Sequence, residues 1–496
     1  MMRSKYRLSG LAVAALLLSA TTALALTVRD AGPCGKPPPP KPAHRASAEG
    51  FAPLPLPVVP QRRTEKKKPP TPPAIVVKIK TSEKLDWATD ENDINNLLIW
   101  MGQKLKIKFS YTEKTLAEVD LDATRLPMLY RTGHNAFTFT PDERERLREY
   151  VLKGGFILFE TCCGRKEFAE SARKELAQIF PERPLEKLAS DHPLYRCYFD
   201  VPLVAYTPAA GITGMAPPPL EGIDIGCRTA VVFSPLDLSC GWDMHTHQHS
   251  AGVQAEYALK LGANMIAYCT ATKAMGRSLA ESRVYLDKDR SKADKFRIGQ
   301  VIHGGQWNPD PAGLSTLLDT VSTTTSLKVS FETQPMKLES KALTTYPFIY
   351  MTGHKNFQLG DTEVQALRAY LKAGGFLMAD SCCGRKAFTV AFRREMARVL
   401  PGAKMVLLPT SHPIYSIQYK VASVNYTQAA VVQNKLSNPG PPRLEGILVD
   451  GNLAVVFTPL DMGCGWELKP HPFGVGYESR DAVRLGVNIV MYAVSH

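Results

Sequence analysis

Phe376-Leu-Met-Ala-Asp-Ser-Cys-Cys-Gly-Arg-Lys386 is the stretch on which the fold turns, and Phe156-Ile-Leu-Phe-Glu-Thr-Cys-Cys-Gly-Arg-Lys166 matches it at an offset of 220 residues. The apolar run Phe376 to Ala379 reads as a short buried strand. Cys382-Cys383-Gly384 then turns the chain into a helix that runs to about Leu400, and Gly374-Gly375 closes the helix before it.

The match extends in both directions. Trp87 pairs with Trp307 and Thr132-Gly133-His134 with Thr352-Gly353-His354, at the same offset. Leu220-Glu221-Gly222 pairs with Leu444-Glu445-Gly446 and Cys240-Gly241-Trp242 with Cys464-Gly465-Trp466, at an offset of 224, so the second copy carries a four-residue insertion. The chain is therefore an internal repeat. Its expected divisions are residues 75–272 and 296–496, joined by the charged stretch 273–295.

Within the second copy, Phe296 to Val301 reads as a strand, Pro311 to Val321 as a helix, Leu327 to Phe331 as a strand and Phe348 to Met351 as another. A helix from about Asp361 to Ala373 places Val364, Leu367 and Leu371 on one face. The first copy opens its equivalent helix with Thr140-Pro141-Asp142-Glu143, a capping box with proline at the first helical position. Helices around Leu261 to Ala267 and Leu485 to Tyr492 close the copies. This alternation predicts two tandem three-layer α/β domains with mostly parallel sheets, whose sites gather at the carboxyl ends of the strands.

Ahead of the repeats, a basic start (Arg3, Lys5, Arg7), an apolar run from Leu11 and the small residues Ala23-Leu24-Ala25 have the layout of a secretory signal peptide, with cleavage expected after Ala25. The run is shorter than the ~20 residues of a spanning helix, so no transmembrane span is expected once it is removed. Residues 26–74 form a proline-rich basic linker. Most of the net charge of +13 lies in the first 80 residues, which hold 14 Lys or Arg against three acids and leave 46 bases and 44 acids in the rest. Near-neutral domains argue against nucleic acid as partner, while the linker suits contact with an anionic surface. The expected location is periplasmic or extracellular.

Several polar features fall at predicted strand ends or the loops after them: His134 and His354, the Cys-Cys-Gly turns, the Asp191-His192-Pro193 and Ser411-His412-Pro413 loops, and the segments Asp237-x-x-Cys240-x-Trp242 and Asp461-x-x-Cys464-x-Trp466. Three chemistries are open to them. A cysteine between strand and helix is placed to be a nucleophile, with His412 or His354 as base for Cys382; Asp380 two residues earlier would hold the thiol up and opposes this. Export permits disulfides, and one cysteine of each turn (Cys162 or Cys163; Cys382 or Cys383) can bridge to Cys240 or Cys464. Cys, His and Asp are also metal ligands, but no Cys-x-x-Cys or His-x-x-x-His spacing occurs in both copies. The run His245-x-His247-x-His249, answered in the second copy by His471 alone, reads as a solvated loop. Cys34, Cys197, Cys227 and Cys269 read as incidental, and Trp87 and Trp307 as core or rim aromatics.

Phe348-Ile-Tyr-Met-Thr-Gly-His354, Gly374-Gly-Phe-Leu377, Cys382-Cys-Gly384, His412-Pro-Ile-Tyr415, Leu444-Glu-Gly446 and Asp461-Met-Gly-Cys-Gly-Trp-Glu467 resemble the domain-of-unknown-function family DUF4159. The first copy departs from them: Lys84-Leu85 stands for Gly304-Gly305, Glu160 for Asp380, and Gly252-Val253-Gln254 for Gly476-Tyr477-Glu478. More distantly, the order of elements resembles the class I glutamine amidotransferase-like, flavodoxin-like fold. That likeness implies Cys382 and Cys162 at the nucleophile position.

The reading reached is a non-catalytic exported tandem protein that binds a small ligand or an envelope partner, with no cofactor and no metal. Asp380, Glu445, Asp461, Trp466, Cys162, His134, His192 and Asp237 are its candidate ligand residues. Cys163, Cys240, Cys383 and Cys464 are its disulfide candidates. A cysteine hydrolase or amidase using Cys382 with His412 or His354, and a metal-binding domain, are the alternatives.

Overall fold

The computed structural model describes residues 73–81, 86–123, 125–245, 247–280, 295–469 and 471–496. The expected signal segment, nearly all of the proline-rich linker and most of the charged connector lie outside these residues. Among the described residues no helix is long and apolar enough to cross a membrane.

Each copy is built on a seven-stranded sheet. In the first, the strands run in the order Ser110–Thr115, Ala74–Lys80, Met128–Gly133, Phe156–Thr161, Arg228–Ser234, Glu221–Ile225 and Glu186–Lys187. The first five are mutually parallel, and the last two turn antiparallel. The second copy repeats the order with Gln334–Met336, Ile298–Val301, Phe348–Gly353, Phe376–Ser381, Asn452–Thr458, Glu445–Val449 and Val406–Leu407. The sheets are thus mixed, and parallel over the part that carries the cysteine turns.

The strand pleat divides the core into two layers, because successive side chains point to opposite faces. Phe156 and Leu158 pack with Leu97, Met101, Leu261 and Met265 from the helices Asp93–Leu105 and Ala255–Ala280. Ile157 and Phe159 face the other way, onto Leu147, Phe168 and Leu176 from Pro141–Leu152 and Lys166–Ile179. Phe376 and Met378, against Leu377 and Ala379, repeat the division. Strands buried on both faces are what a parallel sheet between helical layers demands.

The capping box is present: the Glu143 amide donates to Thr140 Oγ1 at 3.2 Å, and Glu143 Oε2 accepts the Thr140 amide at 2.8 Å. One predicted strand is displaced. Leu327 to Phe331 contributes a single bridge, Phe296 to Val329, and the edge strand is Gln334–Met336, whose Pro335 is tolerated because an edge needs no second partner. The inserted residues of the second copy lie where the helix Gln428–Asn434 replaces the short turn Pro208–Ala210.

The copies touch through specific contacts. Lys355 Nζ pairs with Glu186 at 2.5 Å, Arg385 donates to the carbonyl of Asp191 at 3.0 Å, and Tyr268 stacks on Phe473 at 5.4 Å.

Candidate functional site

Each central strand, Phe156–Thr161 or Phe376–Ser381, ends in a one-turn Cys-Cys-Gly loop whose second cysteine is left-handed, with φ 53° and ψ 13° at both Cys163 and Cys383. A side chain there costs roughly 1–2 kcal/mol, so something must hold the turn. The glycine after it is required twice over. Gly384 has φ 66°, and a Cβ on it would stand 2.7 Å from the carbonyl oxygen of Val475.

The holding group is a buried carboxylate. Asp461 Oδ2 accepts the Cys383 amide at 2.7 Å, and its Oδ1 accepts the Cys464 amide at 3.0 Å. Asp237 does the same in the first copy, for Cys163 at 2.6 Å and Cys240 at 2.9 Å. A second carboxylate, Asp380, takes the amides of Met462 at 2.7 Å and Gly463 at 3.0 Å and the Tyr350 hydroxyl at 2.6 Å. Glu160 is its counterpart, on the amides of Leu238 and Ser239. The short helices Ser239–Trp242 and Gly463–Trp466 are thereby fixed over the strand ends, and their tryptophans lock them from below, with Trp466 Nε1 donating to Ala482 at 2.9 Å and Trp242 Nε1 to Ala258 at 2.7 Å.

Three sulfurs per copy converge in this frame. In the second copy they stand 3.7 Å (Cys382 to Cys383), 3.8 Å (Cys382 to Cys464) and 4.0 Å (Cys383 to Cys464) apart. In the first, Cys162 lies 3.8 Å from Cys163, and Cys163 lies 4.0 Å from Cys240. These separations are far from the ~2.05 Å of a disulfide. They match the edge of a tetrahedron around zinc, about 3.8 Å for bonds of about 2.3 Å.

A histidine joins each group. His247 Nε2 is 3.3 Å from Cys163 and 3.7 Å from Cys240, near the roughly 3.5 Å expected between sulfur and nitrogen ligands of one zinc ion. His471, at the same offset of 224 as the later cysteines, stands 3.1 Å from Cys383. An aspartate completes each wall: Asp90 is 3.2 Å from Cys162, and Asp310 lies with Cys382 and Cys464 in one ligand-sized cluster. The second copy holds one more sulfur. Cys227, from the first copy, is 3.1 Å from Cys382 and 3.2 Å from Cys464.

Electrostatics follow from burial. It pushes the Cys227, Cys382 and Cys464 thiols and the Asp310 and Asp461 carboxyls well above their ordinary values. In the first copy burial takes Glu160 and Asp237 up to about 8. Cys383 runs the other way: burial raises it, but hydrogen bonds to the sulfurs of Cys227, Cys382 and Cys464, and the His471 charge, bring it well down. The second cluster is thus a buried group of acids and thiols in which burial favours the neutral forms, Cys383 being the exception.

The residues singled out from sequence divide sharply. Cys162, Cys163 and Cys240 with Asp237 form one cluster, and Cys382, Cys383 and Cys464 with Asp461 the other; His354 also comes within ligand range of Cys227, Cys382 and Cys383. His192 and His412 are engaged elsewhere. Each accepts the amide two residues on at its Nδ1 (Leu194 at 3.1 Å, Ile414 at 3.2 Å) and caps a single turn. The backbone amide of His134 donates to Asp86, Trp466 is core, and Glu445 pairs with Arg393 at 2.7 Å. His247, His471, Asp90, Asp310 and Cys227 were not among the candidate ligands. The first four carried a signal, their equal offsets; Cys227 carried none.

Beside the second cluster lies a cavity of about 340 Å³ lined by Thr427, Asp461, Cys464, His471 and Glu478 among others.

The family model described as Domain of unknown function (DUF4159) matches this chain twice, over residues 75–270 and 297–494. No curated protein matches it.

Proposed function

Since the chain belongs to the DUF4159 family, whose description carries no activity, we propose a function from the site itself: a tandem metal-binding protein, each copy holding one zinc-class ion in a buried, thiolate-rich cage. The carrying observation is the sulfur spacing of 3.7 to 4.0 Å, repeated in both copies. In the first copy the ligands are Cys162, Cys163, Cys240 and His247, and the closed, buried set fits a structural ion rather than a catalytic one, which keeps a position open. Soft sulfur with one imidazole selects zinc over magnesium or calcium.

The outer partners are those that metal sites need. Asp237 and Asp461 fix the backbone of two ligands each, and such support orients a first shell before the ion arrives. The N-terminal signal-like segment supports export, where a bound ion would keep neighbouring thiols from oxidising to a disulfide. The proline-rich basic segment supports contact with an anionic surface.

A second reading rests on Cys383 and His471. They stand 3.1 Å apart beside the 340 Å³ cavity, with the Cys383 thiol held low and the His471 imidazole held up, the arrangement that a nucleophile and base of hydrolase type need. In that reading the nucleophile is Cys383, rather than the Cys382 to which the likeness to glutamine amidotransferase-like proteins points.

Elemental analysis of the full chain, purified without chelator, separates the two. Two zinc equivalents, with the six matched cysteines resisting alkylation until the metal is stripped, is the expected result. A chain that neither carries metal nor takes up stoichiometric zinc, and whose Cys383 alkylates at once, overturns the metal reading in favour of the nucleophile.

A further inference from the structure

Cys227 sits in the hairpin between the strands Glu221–Ile225 and Arg228–Ser234, with Gly226 just before it at φ 61° making the bend. The matching hairpin of the second copy has Asp450-Gly451 at its tip, exposed to solvent. Only the first copy therefore presents a thiol there, and it presents it to the other copy. Its sulfur is 3.1 Å from Cys382, 3.2 Å from Cys464 and 2.8 Å from Asp310 Oδ1.

Two features show that these groups are built to receive something. Asp310 is 6% exposed, and its Oδ2 is buried without a hydrogen-bond partner. A carboxylate oxygen buried in this way costs free energy that a proton or a cation would relieve. The Cys227 sulfur also lies within ligand range of those of Cys382, Cys383 and Cys464, and its separations of 3.1 and 3.2 Å from Cys382 and Cys464 are shorter than the ~3.8 Å edge, so that binding an ion would move it outward.

We propose that Cys227 is a ligand of the second cage, completing a tetrathiolate with Cys382, Cys383 and Cys464, so that one ion joins the two copies. This rests on the metal reading above. His471 then stands outside the four ligands and hydrogen-bonds the Cys383 sulfur at 3.1 Å, whereas the first cage, with Gly451 at the position that matches Cys227, takes His247, 3.3 and 3.7 Å from two of its sulfurs, as the fourth ligand. The same fold thus holds two ions of different charge. Three thiolates and an imidazole leave a divalent ion with one net negative charge, and four thiolates leave it with two. Arg385, whose charge reaches His471, lies on the more negative side.

Cobalt(II) loaded into the full chain reports thiolate ligands through their charge-transfer absorption, and Cys227→Ser and Cys227→Gly are compared with the unaltered protein. The second substitution copies the residue at Gly451, so the hairpin keeps a natural tip. The expected result is two cobalt ions in the unaltered chain and a charge-transfer band lower by roughly one seventh in both variants, as seven cobalt–sulfur bonds become six. One of the two ions should also pass to a chelator at least about tenfold more readily, while the other, in the first cage, is unchanged and attests that the variant is folded. Two ions bound with unchanged absorption and chelator resistance in the variants overturns the inference and leaves the metal reading standing. No cobalt in the unaltered chain overturns both.

Discussion

The carboxylate of Asp461 accepts the backbone amide of Cys383 at 2.7 Å across 78 residues of chain. With its other oxygen it takes the amide of Cys464, so one side chain sets the distance between the two segments that bring sulfur to the cage. Asp461→Asn keeps the size but exchanges one acceptor oxygen for a donor that would face an amide N–H. The expected outcome is a folded protein whose second ion is held about 10–100-fold more weakly, the usual penalty for an outer-shell partner. Chelator competition followed by metal analysis measures it, and undiminished affinity would show that Asp461 is not a support of the cage.

The two histidines should respond unequally. His247 is within reach of two sulfurs of the first cage, at 3.3 and 3.7 Å, and has the place of a fourth ligand. His471, 3.1 Å from Cys383, shares its cage with Cys227. His247→Ala is expected to release the first ion, and His471→Ala to keep the second with a modest loss of affinity. Zinc stoichiometry of the two variants is the measurement; equal losses from both would mean that His471 and not Cys227 completes the second cage.

The frame of the clusters is legible in the sequence, though not a metal in them, for a physical reason: equal offsets of Cys, Asp, Gly and Trp mark positions where backbone geometry and burial admit few alternatives. The turn, the later cysteine and Asp237 or Asp461 meet because a parallel sheet brings successive strand ends to one edge. The same regularity singles out His192 and His412, and what repeats there in the structure is a cap on a single turn. His247 looked like one of three loop histidines, since nothing local distinguishes a histidine that folds back onto sulfur. Cys227 could not be found at all, because its partners belong to the other copy and docking between repeats leaves no periodic trace. The displaced edge strand failed for a related reason: Val329 and its neighbours have the better strand propensity, and packing put Gln334–Met336 there instead.

Gly384 offers a test of the turn independent of metal. Alanine there would hold φ 66° and press its Cβ to 2.6 Å from that of Val475. Conformational strain and overpacking together predict a loss of roughly 2–5 kcal/mol. Gly211, at φ 68° with nothing within 4 Å of the same position, is the matched control, expected to lose only the backbone share, roughly 1–2 kcal/mol. Denaturant unfolding of the two variants separates the contributions, and equal losses would mean that the close approach to Val475 relaxes without cost.

His192 predicts a pH dependence whose sign is fixed by its hydrogen bonds. The Thr229 hydroxyl donates to Asp224 at 2.6 Å, which leaves its oxygen to accept from His192 Nε2 at 2.8 Å, while Nδ1 accepts the Leu194 amide at 3.1 Å. Both nitrogens are satisfied in the neutral ring. A second proton on Nδ1 would face an N–H. Burial, aided by the Arg385 charge and opposed by Asp224 and Cys383, with His354 adding to the lowering, takes its pKa from 6.5 down to about 3. Between those values the unfolded chain binds a proton that the folded one refuses, so unfolding becomes easier as pH falls from about 6.5 toward 3, by up to ~1.4 kcal/mol per pH unit from this residue. His192→Asn retains a cap acceptor and removes the titration. Its stability, followed by urea unfolding from pH 7 to pH 4, should fall less steeply than that of the unaltered chain, the remaining slope including His303, which burial lowers to about 4. Parallel slopes would mean that His192 is protonated in the folded protein and that its ring is not held by Leu194 and Thr229 as described.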